Sequence, residues 1–303
     1  MKKIFFALLL LVNATVFAQT DTAKRLNEVN VKGYYNPQPL LRALGAVSLL
    51  DSNQIKNQPT NSLVSLVNTA PGVRMEERSP GSYRLSLRGS LLRSPFGIRN
   101  VKIYIDDFPL TDAGGNTYLN SLDMAGIGSL EIYKGPEASI FGANTGGALL
   151  INSVLKNKNE LSLSTTAGSY GLFHQTASIN QNFDNYSFNL TGGYQQSDGY
   201  RENSALKRRY IQTSQAWDYS VKGKLKALIF YSDLEYQTPG GLTAAQFAAN
   251  PQAARPATPT LPGAITQKAG IYNKTFFAGL SNTYALNQHF NHVIALFYSN
   301  TDF

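Results

Sequence analysis

The sequence predicts an α+β domain, a small mixed sheet with short helices, followed by the antiparallel strands of an incomplete transmembrane β-barrel. Three observations carry this. From about residue 160 onward, apolar and polar residues alternate with a period of two, the signature of strands with two unlike faces. The connections between those runs are alternately short and long, as in a barrel with tight turns on one side of a membrane and long loops on the other. Charged residues make up only 15% of the chain, while Tyr, Phe and Gly number 17, 16 and 25, a balance that suits strands and turns rather than solvent-facing helices. The alternation alone fits a soluble sandwich equally well. The connection lengths and the aromatics at strand ends favour the membrane.

In chain order, Lys2 and Lys3 precede an unbroken apolar stretch over residues 4–12, and Val16-Phe17-Ala18 follows with residues tolerated at a cleavage site. This is the plan of a secretory signal peptide over residues 1–18, cleaved after Ala18. The apolar run is about half of the roughly 20 residues that a spanning helix needs. With no cysteine in the sequence, a lipoprotein anchor, disulfides and thiolate chemistry are excluded. The net charge is +8, but the basic residues form no run apart from Lys207-Arg208-Arg209, so no nucleic-acid partner is expected.

Residues 19–39 form a polar tail around a short alternating piece, Leu26, Asn27, Glu28, Val29, Asn30, Val31 and Lys32. Such a piece suits strand addition to a partner's sheet edge, or serves as the first strand of the next domain. Residues 40–154 read as the mixed domain. Asp51 can cap a short helix, and Thr60 a second that runs through Leu63, Leu66 and Val67 to Pro71-Gly72. Strands follow at residues 83–88, at Val101, Ile103 and Ile105, at Leu130 and Ile132, and at Leu149-Leu150-Ile151. Residues 155–303 leave room for roughly six barrel strands. Phe183-Asp184-Asn185, Trp217-Asp218-Tyr219-Ser220 and the 284–290 junction read as short connections, residues 197–208 and 238–269 as long ones. A barrel able to enclose a domain of this size needs many more strands, about 22 in large transporters. The chain is therefore expected to be incomplete.

Four blocks in the mixed domain carry a family resemblance: Leu66-Val67-Asn68-Thr69-Ala70-Pro71-Gly72-Val73; Leu85-Ser86-Leu87-Arg88-Gly89; Val101-Lys102-Ile103-Tyr104-Ile105-Asp106-Asp107-Phe108-Pro109-Leu110; and Leu130-Glu131-Ile132-Tyr133-Lys134-Gly135-Pro136-Glu137-Ala138-Ser139-Ile140-Phe141-Gly142 with Thr145-Gly146-Gly147 after it. In this order they resemble the plug domain of the TonB-dependent outer-membrane receptors. Two departures stand out: Asp107 where the family usually has Gly, and Lys134 where Arg is commoner.

The resemblance implies that residues 26–32 are a TonB box, similar to the family's L-x-E-V-x-V form, with TonB and its inner-membrane energising complex as partner. It implies that Arg88, Glu131 and Lys134 pair with charges on the inner barrel wall. It places the loops 91–99 and 112–118 at outward-facing apices, where Arg93, Arg99, Asn116 and Tyr118 are candidate ligand contacts. The expected function is outer-membrane transport of a scarce nutrient, a ferric chelate of siderophore or iron-citrate type above others. A glycan or vitamin importer of the same architecture and a non-transporting adhesive barrel are the alternatives.

No catalytic constellation accompanies these motifs. His174, His289 and His292 lack a nucleophile or carboxylate at motif spacing, and Asp106-Asp107 is a turn pair whose neighbours on a strand face opposite ways. The glycine-rich 142–147 segment matches neither a P-loop nor a dinucleotide fingerprint. No enzyme activity, resident cofactor or metal site is expected.

Overall fold

The computed structural model of the chain describes residues 30–32, 38–43, 45–90, 97–135, 140–142 and 146–303. The signal peptide with its cleavage site, residues 26–29 of the tail piece and Arg93 lie outside the described residues.

The tail enters through β1 (Asn30–Val31), paired antiparallel with β2 (Gln38–Pro39). The mixed domain follows with β3 (Ala46–Leu50), helices α1 (Ser52–Lys56) and α2 (Leu63–Val67), and strands β4 (Val73–Ser79), β5 (Ser82–Leu87), β6 (Lys102–Ile105), β7 (Phe108–Pro109), β8 (Ile127–Lys134) and β9 (Gly147–Ser153). Five of these make one sheet in the order β3-β8-β9-β6-β7, with β6 and β9 parallel and the other pairs antiparallel. Strands β4 and β5 form a separate hairpin.

Local chemistry starts the helices. The Asp51 carboxylate accepts from the Asn53 and Gln54 N–H groups while Gln54 reaches back to the Asp51 N–H, a complete capping box. For α2 the cap is Ser62, whose Oγ accepts from the Val64 N–H, and not Thr60. Thr60 is instead drawn outward, with its hydroxyl 3.3 Å from Thr166 Oγ1 and 3.2 Å from His174 Nδ1. The sheet's Ile103, Ile105, Leu130, Ile132, Leu149 and Ile151 bury against α2 and the hairpin to make the core.

The second body is a seven-stranded antiparallel meander: β10 (Glu160–Ala167), β11 (Phe173–Asn182), β12 (Tyr186–Ser197), β13 (Leu206–Ser220), β14 (Gly223–Gln237), β15 (Gly270–Ala285) and β16 (Asn291–Asp302). Its concave face buries polar side chains, among them Asn189, Thr191, Gln195, Gln212 and Ser281, while Leu163, Ile229, Phe276, Leu280 and Leu296 are exposed on the other. A soluble sandwich has the opposite polarity, so the ambiguity of the alternation is resolved in favour of a lipid-facing wall.

The wall differs from expectation in three places. It has seven strands where about six were expected. Residues 217–220 do not turn: β13 continues through a bulge to Ser220 and the chain reverses at Val221-Lys222. The Asp218 N–H donates to Asn185 O at 2.8 Å and its carboxylate pairs with Lys224, so neighbouring chain satisfies what looked like a turn residue. The short/long alternation is also imperfect, because residues 168–172 form a short connection on the same side as the two long ones. The long connection 238–269 carries α3 (Ala244–Ala249) and is braced to the 198–205 loop. Arg201 donates to Ala253 O and Gly240 O, and Asn203 to Thr238 O and Ala269 O.

The mixed domain sits against the concave face. Phe108 of β7 lies 5.9 Å from the Phe277 ring, which stacks on Phe230 at 5.1 Å. Gly279 on β15 makes the notch for Phe108, since a Cβ there would fall 2.7 Å from the ring. Replacing Gly279 with Val is therefore expected to unseat Phe108 and destabilise the fold by about 1–3 kcal/mol. Gly192→Ala, where a Cβ would meet only a carbonyl oxygen at 3.8 Å, is the comparison variant and should leave thermal unfolding nearly unchanged.

Candidate functional site: the plug seat and the outer cleft

Asp123 caps a 3-10 turn, Met124–Gly126, by accepting from the Ala125 N–H. Its other oxygen faces the wall, 2.9 Å from Arg208 Nη2 of β13 and 3.0 Å from His174 Nε2 of β11. Arg208 also donates to Leu122 O and Gln195 Oε1, both at 2.7 Å. Gln195 and Gln212 add bonds to the carbonyls of Asn61 and Gly126. Burial alone would raise the Asp123 pKa; the Arg208 charge and the His174 hydrogen bond overcome it and hold the carboxyl down to about 2.

A second junction forms at Asp107. Lys32, the last residue of the tail piece, forms an ion pair with Asp107 Oδ1 and donates to Asp106 O at 3.0 Å. The other Asp107 oxygen accepts from Ser281 Oγ at 2.7 Å and lies 3.4 Å from Lys226 Nζ, both on the wall. Burial again opposes ionisation, and Lys226 and Lys32 prevail to hold this carboxyl down to about 2. Tail, plug and wall thus meet at one carboxylate. The turn's positive φ falls on Asp106 (φ 51), not on Asp107, which stands where Gly is usual in the family. The Asp106 carboxylate is tied to the N–H and hydroxyl of Ser153.

The three residues expected to pair with the wall find other surroundings. Glu131 is buried and accepts from the Lys32 N–H at 2.9 Å, from Tyr133 Oη at 2.7 Å and from Asn152 Nδ2 at 3.3 Å, all in the tail or plug. Lys134 donates to Ser48 Oγ and Pro71 O, and burial followed by the nearby Arg88 charge lowers its pKa. Arg88 is exposed, with φ 51 and its N–H bonded to Gly72 O. Among the described residues, the charged contacts with the wall belong to Asp107 and Asp123. Asp107 carried a signal, being a departure from the family pattern. Asp123 and Arg208 carried none, because neither their sequence separation nor their local pattern marks a contact.

Of the other tail residues, Asn30 is exposed and Val31 is buried in β1. At the outer end, Arg99 Nε donates to Asn116 Oδ1 at 2.6 Å, and the Asn116 N–H donates to Asp112 Oδ1. Tyr118 lies beside them, its ring 5.3 Å from Phe303. Burial raises the Tyr118 hydroxyl pKa. Behind these loops are two adjoining hollows between plug and wall that share Gly81, Tyr83 and Asn120. One, of about 350 Å³, is lined by Tyr118, Tyr236, Ile271 and Asn273 among others. The other, of about 420 Å³, presents Glu77, Arg78, Arg201 and Arg208. Burial pushes the Tyr83 hydroxyl up to about 12 and raises the Glu77 carboxyl as well. No helix among the described residues is long and apolar enough to cross a membrane, and none of their His, Asp or Glu side chains cluster as a metal site.

Residues 39–149 match the TonB-dependent Receptor Plug Domain family. The vitamin B12 transporter BtuB of Vibrio vulnificus is 22% identical over 168 residues, which are 54% of this chain and 27% of that protein. The solved structure of the unliganded ferric citrate transporter FecA superposes with a TM-score of 0.70 at 16% identity, covering 85% of this chain and 40% of FecA. The ferric yersiniabactin uptake receptor FyuA from Yersinia pestis gives 0.68 at 12% identity, over 85% of this chain and 41% of FyuA. FpvA of P. aeruginosa, bound to a heterologous pyoverdine, gives 0.69 at 13%, over 89% and 36%. Residues 39–149 thus carry the plug domain of the TonB-dependent receptors, the chain shares the fold of the plug and part of the barrel of these solved structures, and it spans well under half the length of these relatives. The family comprises outer-membrane transporters and receptors, not enzymes.

Two consequences can be measured. Arg208→Met leaves Asp123 buried without its cation and should cost about 3–5 kcal/mol in unfolding free energy, with much of the loss recovered in Asp123→Asn/Arg208→Met. Because both carboxyls have depressed folded pKa values, their contribution is complete above the unfolded value of about 4 and is lost as pH falls toward about 2. Unfolding free energy followed against pH should therefore fall through that acid window, and less steeply in Asp123→Asn.

Proposed function

We propose that this chain is the front part of an importer that carries a scarce nutrient across the outer membrane, a ferric chelate above other cargoes. Residues 1–18 direct export and are removed after Ala18. The cargo lodges at the outer cleft, and residues 26–32 then engage TonB, which pulls on the tail. The observation that carries this reading is the Lys32–Asp107 contact, which ties the tail to the carboxylate that also holds Lys226 and Ser281 of the wall. Tension on the tail acts first on that junction, and a partly buried ion pair is strong enough to hold the plug at rest yet can be exchanged for water once pulled apart.

The ferric cargo is supported by the ferric citrate and ferric yersiniabactin receptors among the similar folds, and by the Arg78 and Arg201 side chains in the cleft, suited to an anionic chelate. Vitamin import is the second reading, favoured by the similarity to BtuB. Deleting the gene should impair growth on chelated iron, and normal uptake of every chelate tried would refute the cargo. Val29→Pro removes a backbone donor from the tail piece and should abolish energised uptake while cargo binding to cells persists.

A further inference from the structure

Asn120 and Asn273 face one another's cavity from different bodies. Asn120 lies on the 3-10 turn Leu119–Ser121 of the plug, and Asn273 points inward from β15 of the wall. They are 5% and 2% exposed, and both line the 350 Å³ hollow. Asn120 Oδ1 and both polar atoms of the Asn273 side chain have no hydrogen-bond partner. The wall's other buried carboxamides differ in this: Asn180, Asn189, Gln195 and Gln212 all reach partners. Buried polar groups are ordinarily satisfied, and an exception calls for an occupant.

The rest of the lining defines what that occupant is. Tyr83, Tyr118 and Tyr236 supply ring surface, and Ile98, Leu119 and Ile271 supply aliphatic surface. No charged side chain is among the described lining residues, whereas Glu77 and three arginines line the adjoining hollow. A carboxylate placed here would bring acceptors to two acceptors with no cation to offset its desolvation. A guanidinium or ammonium would offer nothing to the Asn273 N–H donor. The free atoms are two acceptors and one donor. A primary carboxamide supplies the complement, two N–H donors and one carbonyl oxygen. Asn273 presents one donor and one acceptor whichever way its amide is turned.

We propose that this hollow is a subsite for an uncharged, planar, amide-bearing group, read by Asn120 and Asn273 and flanked by the tyrosine rings. As a subsite for cargo it rests on the transport reading above; as a binding site it stands apart from it. The division of labour is then spatial: any anionic part of the cargo lies toward Arg78 and Arg201, and its neutral amide part lies against Asn273.

The test uses the full-length receptor in detergent with benzamide and benzoate as probes, near-isosteres that differ in charge and in donors, followed by ligand-observed NMR and calorimetry. Benzamide should bind in the millimolar range and benzoate at least tenfold more weakly. Asn273→Leu and Asn120→Leu should each weaken benzamide at least tenfold, and in Asn273→Leu the melting temperature should hold or rise, because both polar atoms it removes are unsatisfied. Ser214→Ala, outside the hollow, should leave benzamide affinity as it was. Benzoate binding as tightly as benzamide, no benzamide binding, unchanged affinity in Asn273→Leu, or a fall in its melting temperature would each overturn the proposal. Benzamide binding as expected, in a receptor whose deletion affects no uptake, would sink the transport reading and leave the subsite standing.

Discussion

The structure turns on two plug carboxylates that have exchanged water for wall partners. Asp123 takes Arg208 and His174, and Asp107 takes Lys226 and Ser281. Each exchange is expensive on one side alone, because a buried carboxylate without its partners has lost its solvation with nothing in return. The wall's concave face is polar for the same reason. Its amides and hydroxyls meet the plug's backbone carbonyls and turns, as Gln195 meets Asn61 and Gln212 meets Gly126. Apolar contact adds to this at the Phe108, Phe230 and Phe277 cluster around the Gly279 notch, where Tyr210 and Leu228 of the wall also join the plug core. A seat built from polar pairs is specific in register, and each pair can be exchanged for contacts with water.

Asp107 adds the tail to this arrangement. Lys32 donates twice to the Asp106-Asp107 turn, and its backbone N–H is held by Glu131, a buried residue with further bonds to Tyr133 and Asn152. The charge on Glu131 therefore anchors the tail rather than the wall. Lys134 likewise stays inside the plug, where its ammonium bridges β3 and the turn at Pro71. Glu131 and Lys134 act as internal fasteners, and among the described residues the charged wall contacts lie at the turn at Asp107 and the cap at Asp123.

At the opposite end the cleft is divided by chemistry. Asn120 stands between a hollow with arginines and one without charged lining among the described residues. The loops around it are held by their own bonds. Arg99 and Asn116 are joined, and Arg201 and Asn203 brace the 198–205 loop to the 238–269 connection. The rim of the cleft is therefore largely preorganised.

Periodicity and local capping were enough to determine much of this protein. The period-two runs define the wall strands and their two faces, because a side chain's face follows from its position along the strand alone. Asp51 with Gln54 announces α1, because a capping box is complete within four residues. The four plug blocks, in order, indicate the family. Tertiary structure decided what depends on chain segments distant in sequence. Thr60 was lost as a helix cap because His174 and Thr166 of the wall compete for its hydroxyl. The turn expected at 217–220 gave way to β13 because Asn185 and Lys224 satisfy Asp218. The partners of Asp107, Asp123, Glu131 and Lys134, and the hollow that Asn120 and Asn273 both line, were equally beyond reach. Hydrogen bonds and ion pairs act over a few ångströms of space, and no local pattern records which distant residue the fold will bring there.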